Sequence, residues 1–108
     1  MKYDVHTTSR FDRELKRLVK KYPSLRDEAI ALIISLETNP LQGTDMGNGV
    51  RKIRVAVQSK GKGKKGGVRV MTCIKMVQER LYLFSIYNKG EQDNISDTEI
   101  NKLIKEIE

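Results

Sequence analysis

The chain has 108 residues, 38% of them hydrophobic and 32% charged, with a formal net charge of +7, which suits one small globular domain spanning residues 1–108. No apolar run approaches the ~18 residues of a membrane span and the N-terminus lacks the apolar stretch of a signal peptide, so we expect a cytoplasmic protein without membrane contact. The single cysteine, Cys73, excludes a disulfide framework, and no Cys/His or carboxylate cluster predicts a metal or another cofactor.

The first part of the chain predicts a strand and two helices. Weak alternation suggests a first strand over residues 3–7. Ser9 and Asp12 resemble a capping box, and apolar residues then recur at helical spacing until Pro23 ends the first helix. A second helix follows and ends at Asn39, because the residue before a proline is disfavoured in the helical conformation. Two helices joined so closely predict an antiparallel helical hairpin.

The second part changes to the two-residue period of strands. Residues 41–49, with three glycines, are predicted to be a loop, and a strand begins at Val50. Residues 59–67 hold four glycines and four lysines and predict a flexible basic loop. Two further strands, at 68–77 and 81–87, form a hairpin.

A last helix begins at the clearest start signal of the chain. Ser96 and Glu99 form a capping box, and Ile95 and Ile100 occupy the hydrophobic staple positions around it. The predicted order is β-α-α-β-β-β-α. This is an α+β fold with a small antiparallel-rich sheet, a helical hairpin and a C-terminal helix, and we expect the helices to cover one face of the sheet.

The positive charge is concentrated in one stretch. Nine Lys/Arg and no Asp/Glu lie between Met46 and Gln78, whereas the rest of the chain carries 12 basic and 14 acidic residues. Such a local excess favours a polyanion as partner, most often a nucleic acid. The simpler interpretation is a solvated basic hairpin that only aids solubility.

Four cations form the candidate site. Lys52 and Arg54 share one face of their strand, about 7 Å apart. Arg69 begins the next strand, so pairing across the basic loop would bring it near them, and Lys89 follows the last strand. Such convergence is costly unless an anion joins the cluster. It indicates either a phosphate-binding surface without chemistry or a site of phosphoryl transfer.

Each residue type favours a particular role in phosphoryl transfer. Lysine can lose its proton and serve as a base, so Lys52 is the candidate base. Arginine stays protonated, so Arg54 and Arg69 are expected to be exposed phosphate clamps. Tyr87, near the strand end beside Lys89, is placed to stack on a base.

Three segments carry a resemblance to a known family: residues 49–55 (GVRKIRV), 59–69 (SKGKGKKGGVR) and 83–91 (LFSIYNKGE). Together with the element order, they resemble the RelE/HigB toxins of bacterial type II toxin–antitoxin pairs. The resemblance implies a metal-independent, ribosome-dependent endoribonuclease that cleaves translated mRNA in the ribosomal A site. The 2′-OH of the substrate would attack the adjacent phosphate.

The resemblance also assigns residues and partners. The basic pair of the family falls on Lys52 and Arg54, its phosphate-clamping arginine on Arg69, and its basic position after the last strand on Lys89. Gly90 stands where RelE has an arginine, and no tyrosine begins the last helix, so Lys89 and Tyr87 take the acid and stacking roles. Glu91 is an alternative acid or base, or orients Lys89. Further cations are expected to bind RNA and the ribosome: Arg51, Lys60, Lys62, Lys64 and Lys65.

The implied partners are the ribosome, mRNA and a cognate antitoxin. The antitoxin is expected to be a helix-turn-helix DNA-binding protein. The toxin is expected to associate with operator DNA only through this antitoxin. Three alternatives remain open at the level of sequence: a ParE-like inhibitor of DNA gyrase, a non-catalytic RNA- or ribosome-binding module, and an inactive relative kept for its partner.

Overall fold

The computed structural model describes residues 2–61, 66–91 and 95–107. Its elements in chain order are β1 (Asp4–Thr7), α1 (Ser9–Lys21), α2 (Leu25–Thr38), β2 (Thr44–Gly47), β3 (Val50–Val55), a 3-10 turn (Gln58–Lys60), β4 (Val68–Lys75), β5 (Arg80–Asn88) and α3 (Asp97–Ile107). The α+β class, the two successive helices and the C-terminal helix are as predicted.

The strands form one five-stranded sheet in the order β1-β5-β4-β3-β2. β1 pairs with β5 in parallel, and the other neighbours are antiparallel. β4 and β5 therefore lie at the centre of the sheet. The predicted hairpin of the last two strands is confirmed, with a bulge after Met71. α2 returns to the start of β1, where Tyr3 N donates to Glu37 O at 2.7 Å.

The prediction that residues 41–49 form a loop is wrong. Residues 44–47 are a strand, β2, which pairs with β3. The connection is a tight turn in which Asn48 (φ 55°) and Gly49 (φ 79°) both have a positive φ. Two consecutive positive φ angles match the right-handed twist of a β-hairpin, and an Asn-Gly pair adopts them at low cost. The turn thus adds a fifth strand to the expected four.

The helices cover both faces of the sheet, so the expectation of a single covered face is wrong. α1 and α2 pack on one face, where Phe11, Leu18, Leu25 and Leu36 form a core with Val70 and Leu83. α3 packs on the other, where Ile100 and Leu103 meet Met71 and Phe84. β4 is buried continuously from Val68 to Cys73, as a strand covered on both sides must be.

The cap of α1 lies one residue earlier than predicted. Thr8, not Ser9, is the N-cap, because its extended backbone (φ −94°, ψ 163°) places its hydroxyl to accept from Phe11 N at 3.2 Å. The hydroxyl also donates to Phe84 O at 3.4 Å. Thr8 therefore fixes the start of α1 to the central strand β5.

The start of α3 is as predicted. Glu99 N donates to Ser96 Oγ at 3.2 Å, which caps the helix, and Ile95 and Ile100 are both buried beneath it. The Glu99 carboxylate does not close the capping box in the expected way. It pairs with Arg10 Nη1 of α1 at 2.7 Å, and this ion pair links the helices on the two faces of the sheet.

Candidate nucleic-acid interface

The strand register brings three of the predicted site residues into one row. Arg54 of β3 lies opposite Arg69 of β4, and Arg69 lies opposite Tyr87 of β5. Side chains directly opposite in an antiparallel sheet have Cβ atoms about 4.5–5.5 Å apart. Lys52 lies two residues before Arg54 and shares its face. We call Lys52, Arg54, Arg69, Tyr87 and Lys89 the sheet site.

The row lies on the face covered by α3. Tyr87 belongs to the same buried cluster as Val50 and Met71, which are two residues from Lys52 and Arg69 along their respective strands. The pairing of Lys52, Arg54 and Arg69 on one face, expected from the sequence, is therefore present. The three cations do not have the same access to solvent.

Exposure decreases along the row towards the centre of the sheet. Arg54 is exposed and Lys52 is half-buried, whereas Arg69 is 4% exposed and Tyr87 is 2% exposed. Tyr87 packs with Phe84 and Ile95. The expectation that Arg69 is an exposed cation is wrong, because Arg69 lies on the central strand β4, on the face of the sheet where α3 packs. In this structure β3 carries the open part of the site.

Arg69 is a buried cation beside a second cation. Burial lowers the pKa of Arg69, the charge of Arg54 lowers it further, and the phenol of Tyr87 raises it. One guanidinium nitrogen, Nη1, donates to Val68 O at 3.3 Å. An anion placed between Arg54 and Arg69 would relieve the repulsion between them. The pair is thus suited to a phosphate, with which arginine forms its strongest hydrogen bonds.

A buried amide holds the end of β5, immediately before Lys89. Asn88 is 3% exposed, and its Nδ2 donates to Tyr22 OH at 3.1 Å and Glu91 Oε1 at 3.4 Å. Its Oδ1 accepts from Gly90 N at 3.0 Å and from Lys60 Nζ. One side chain therefore connects α1, the turn after β3 and the segment that follows β5. Sequence analysis missed this residue, although a lone polar residue that ends an apolar strand is a usable signal.

The backbone at this end of the sheet is equally constrained. Lys89 N donates to Gly67 O at 3.2 Å, so the residues around Lys89 and the start of β4 are joined. A β-carbon at Gly67 would overlap the carbonyl oxygen of Val55. Glycine is therefore needed where the chain enters β4 beside the end of β3.

Glu91 connects this end of the sheet to α1. Its carboxylate lies 3.3 Å from Arg17 Nη2 and 3.5 Å from Lys21 Nζ. Desolvation works in the opposite direction, but the charge of Arg17 and the hydrogen bonds from Asn88 and Lys21 prevail and lower the pKa of Glu91. The carboxylate is thus held as an anion between two α1 cations.

Two of the five cations expected to bind RNA make contacts within the fold. Arg51 donates from Nε to Gln42 O at 3.1 Å and from Nη2 to Gly43 O at 2.8 Å, which holds the segment leading into β2. Lys60 Nζ lies 5.3 Å from the centroid of the Tyr22 ring and donates to Asn88. The other three, Lys62, Lys64 and Lys65, lie outside the described residues.

Neither a metal-binding cluster nor a membrane-crossing helix is present in the described residues. No group of three or more His, Cys, Asp or Glu side chains in this part of the chain is arranged to hold a metal ion. In the same residues, no helix has the length and apolar character needed to cross a membrane.

Comparison with known proteins identifies the family. The family model described as the RelE toxin of the RelE/RelB toxin–antitoxin system matches residues 5–107. The fold is similar to that of the isolated RelE toxin of E. coli, with a TM-score of 0.61 and 13% identity over 98% of this chain and 99% of that one. A metal-bound toxin from Helicobacter pylori is also similar, with a TM-score of 0.49 and 17% identity over 82% of this chain and 97% of that one.

The chain belongs to the RelE toxin family, since the match covers nearly its whole length. It is thus a toxin of a toxin–antitoxin pair, and this membership implies a cognate antitoxin as its partner. Both statements agree with the resemblance carried by the three sequence segments.

Proposed function

We propose that this toxin is a metal-independent endoribonuclease that cleaves translated mRNA in the ribosomal A site. The observation that carries the proposal is the cross-strand pair of Arg54 and Arg69 on a face that also bears Lys52. Grouped cations on a sheet are suited to stabilising the charge that develops on a phosphate during transfer. Family membership supports the same conclusion.

The proposed reaction uses the 2′-OH of the substrate as nucleophile. Lys52, in its neutral form, accepts the proton of the 2′-OH while the O2′–P bond forms and the P–O5′ bond breaks. Arg54, which is exposed, holds the non-bridging phosphate oxygens, and Arg69, directly opposite it on β4, adds its positive charge to the site. Lys89 donates a proton to the departing 5′ oxygen. The products are a 2′,3′-cyclic phosphate and a free 5′-OH.

In this proposal Tyr87 does not stack on a base, as the sequence suggested, but supports Arg69. Tyr87 is only 2% exposed and packs with Phe84 and Ile95, so its ring is not accessible to an RNA base in this structure. Tyr87 lies directly opposite Arg69 on β5, in the same row as the two arginines. We therefore assign Tyr87 as a positioning residue that holds Arg69.

The proposed partners follow from the family and the reaction. A ribosome-dependent nuclease acts in the cytoplasm, on ribosomes engaged with mRNA. We propose that the cognate antitoxin is a helix-turn-helix protein and that the toxin meets operator DNA only through it.

The decisive experiment maps RNA 5′ ends after induction of the toxin alone. We expect new 5′-OH ends within translated codons for the parental chain, and their loss in Arg54→Gln. The control Arg26→Gln removes an exposed cation of α2, away from the sheet site, and should cleave like the parent. Growth arrest with intact mRNA on stalled ribosomes would contradict the nuclease and favour a binding module. Gyrase-linked DNA breaks would favour a ParE-like activity.

A further inference from the structure

A second cationic surface runs along α1, on the opposite face of the sheet from the sheet site. Its members are exposed and recur every three or four residues, so they share one side of the helix. They span about 12 Å along the helix axis at 1.5 Å per residue. We call Arg13, Lys16, Arg17, Lys20 and Lys21 the α1 stripe.

The apolar residues of α1 all point away from the α1 stripe. Phe11 and Leu18 are fully buried against the sheet, and Leu15, Val19 and Tyr22 pack beside them. The outward side of α1 therefore presents ammonium and guanidinium groups without an apolar centre, and the exposed carboxylate of Asp12 lies at its N-terminal edge.

The charges of the α1 stripe are only partly balanced. Arg17 and Lys21 share the carboxylate of Glu91. For Arg13, Lys16 and Lys20, no carboxylate of the described residues lies within ion-pairing distance. Three neighbouring cations on one helix face are thus available to an external polyanion.

The stripe leads towards the sheet site. α1 runs alongside β5: Glu14 Oε1 accepts from Ser85 Oγ at 3.0 Å and from Ile86 N at 3.2 Å, and Tyr22 OH accepts from Asn88. The C-terminal end of α1 therefore lies at the same end of the sheet as Lys89. Positive charge continues from the helix face, past Lys60, to the edge of the site.

The composition of the stripe favours RNA over a protein partner. Protein–protein interfaces are depleted in lysine and have an apolar centre, whereas phosphate backbones are bound by arranged Lys and Arg. The neighbouring helix shows the contrast, since its exposed face carries Ile30 (47% exposed) and Ile34 (59% exposed). An acidic or helical protein segment would be expected to use such apolar side chains.

We propose that the α1 stripe binds the phosphate backbone of ribosomal RNA and thereby holds the toxin on the ribosome while the sheet site faces the messenger. This inference rests on the proposed function, and it names the RNA contact on the other side of the molecule. The same phosphate chemistry is offered by the messenger itself, so ribosomes without messenger are the probe.

The test compares two triple variants that lose the same charge. The stripe variant is Arg13→Gln with Lys16→Gln and Lys20→Gln. The matched control is Arg26→Gln with Lys102→Gln and Lys105→Gln, all exposed positions on α2 and α3. Thermal unfolding verifies that both fold. Equilibrium binding to messenger-free bacterial 70S ribosomes is then measured over a series of KCl concentrations.

We expect the stripe variant to lose roughly 10- to 100-fold in ribosome affinity, with a salt dependence shallower by about 2 in log–log slope. The control should stay near the parental affinity and slope. Equal behaviour of the two variants, or parental affinity in the stripe variant, would overturn the inference. So would a stripe variant that binds ribosomes normally but no longer co-purifies with the co-expressed antitoxin.

Cleavage of a ribosome-bound messenger, measured in parallel, separates this inference from the proposed function. If the parental toxin cuts but the stripe variant matches the control in binding, the stripe inference alone fails. If ribosome binding depends on the stripe but no cut appears, the nuclease proposal alone fails.

Discussion

Arg54 and Arg69 lie directly opposite each other on β3 and β4, one exposed and the other 4% exposed. Arg54 is accessible to a ligand from solvent, whereas Arg69 lies on the buried central strand β4. Two like charges directly opposite each other repel, and an anion bound between them would offset that repulsion. The pair therefore connects the stability of the sheet with the chemistry of the site.

Arg54→Gln should lower the cleavage rate about 100-fold, because one of the two groups that stabilise the charged transition state is lost. Its free energy of unfolding should remain within about 0.5 kcal/mol of the parental value, since the side chain is exposed and a repulsion with Arg69 is removed. Single-turnover cleavage and urea unfolding measure the two quantities. A cleavage rate near the parental one would remove Arg54 from the reaction.

Asn88→Ala should lower the free energy of unfolding by about 1–3 kcal/mol, because four hydrogen-bonding partners of a buried amide lose it together. Cleavage should fall as well, since Lys89 follows directly. Asn101→Ala, at an exposed position of α3, is the matched control and should change stability by less than about 0.5 kcal/mol. Equal stabilities of the two variants in urea unfolding would contradict the role given to Asn88.

The position of the α1 cap is tested by two adjacent substitutions. Thr8→Ala should cost about 1 kcal/mol of stability, because the hydrogen bond to Phe11 N is lost. Ser9→Ala should cost little, since Ser9 is already within the helix and exposed. Thermal or urea unfolding of the pair decides between the two caps, and a larger loss for Ser9→Ala would restore the cap expected from the sequence.

Glu91 predicts a pH dependence of stability. Its pKa is lowered in the folded chain, so its contribution is present above the unfolded value of about 4.3 and is lost as the pH falls through the lower folded value. The parental chain should therefore exceed Glu91→Gln in stability at pH 7, and the two should converge once the pH has fallen below the lowered pKa of Glu91. Because the side chain is 40% exposed, the difference should be small and should shrink with added salt. A difference that grows towards low pH would contradict this assignment.

The sequence was sufficient for the elements whose signals are local. Ser96 and Glu99 predicted the start of α3, and the alternation around Lys52 and Arg54 predicted the shared face. β2 was missed even though Asn48-Gly49 is a strong hairpin signal, because the surrounding glycines suggested a loop. The β-hairpin turn at Asn48-Gly49 could therefore have been predicted from the sequence.

Other features depend on packing between distant segments and have no local signal. The continuous burial of residues 68–73 predicts two covered faces only after the strand is known to be central. Tyr87 is buried in a cluster with Ile95 and with residues of α3, which follow later in the chain. The hydrogen bonds of Asn88 join four segments up to 66 residues apart, so no window of the sequence contains them.

The parallel pairing of β1 with β5 has a consequence for folding during synthesis on the ribosome. β1 (Asp4–Thr7) cannot join the sheet until β5 (Arg80–Asn88) has been synthesised, because β5 is its pairing partner. A nascent chain that has not yet reached residue 88 lacks the central strand, the anchor of α1 and the neighbour of Arg69. Such long-range pairing delays folding. A nascent toxin chain therefore cannot form the sheet site until the ribosome has translated the codons for β5.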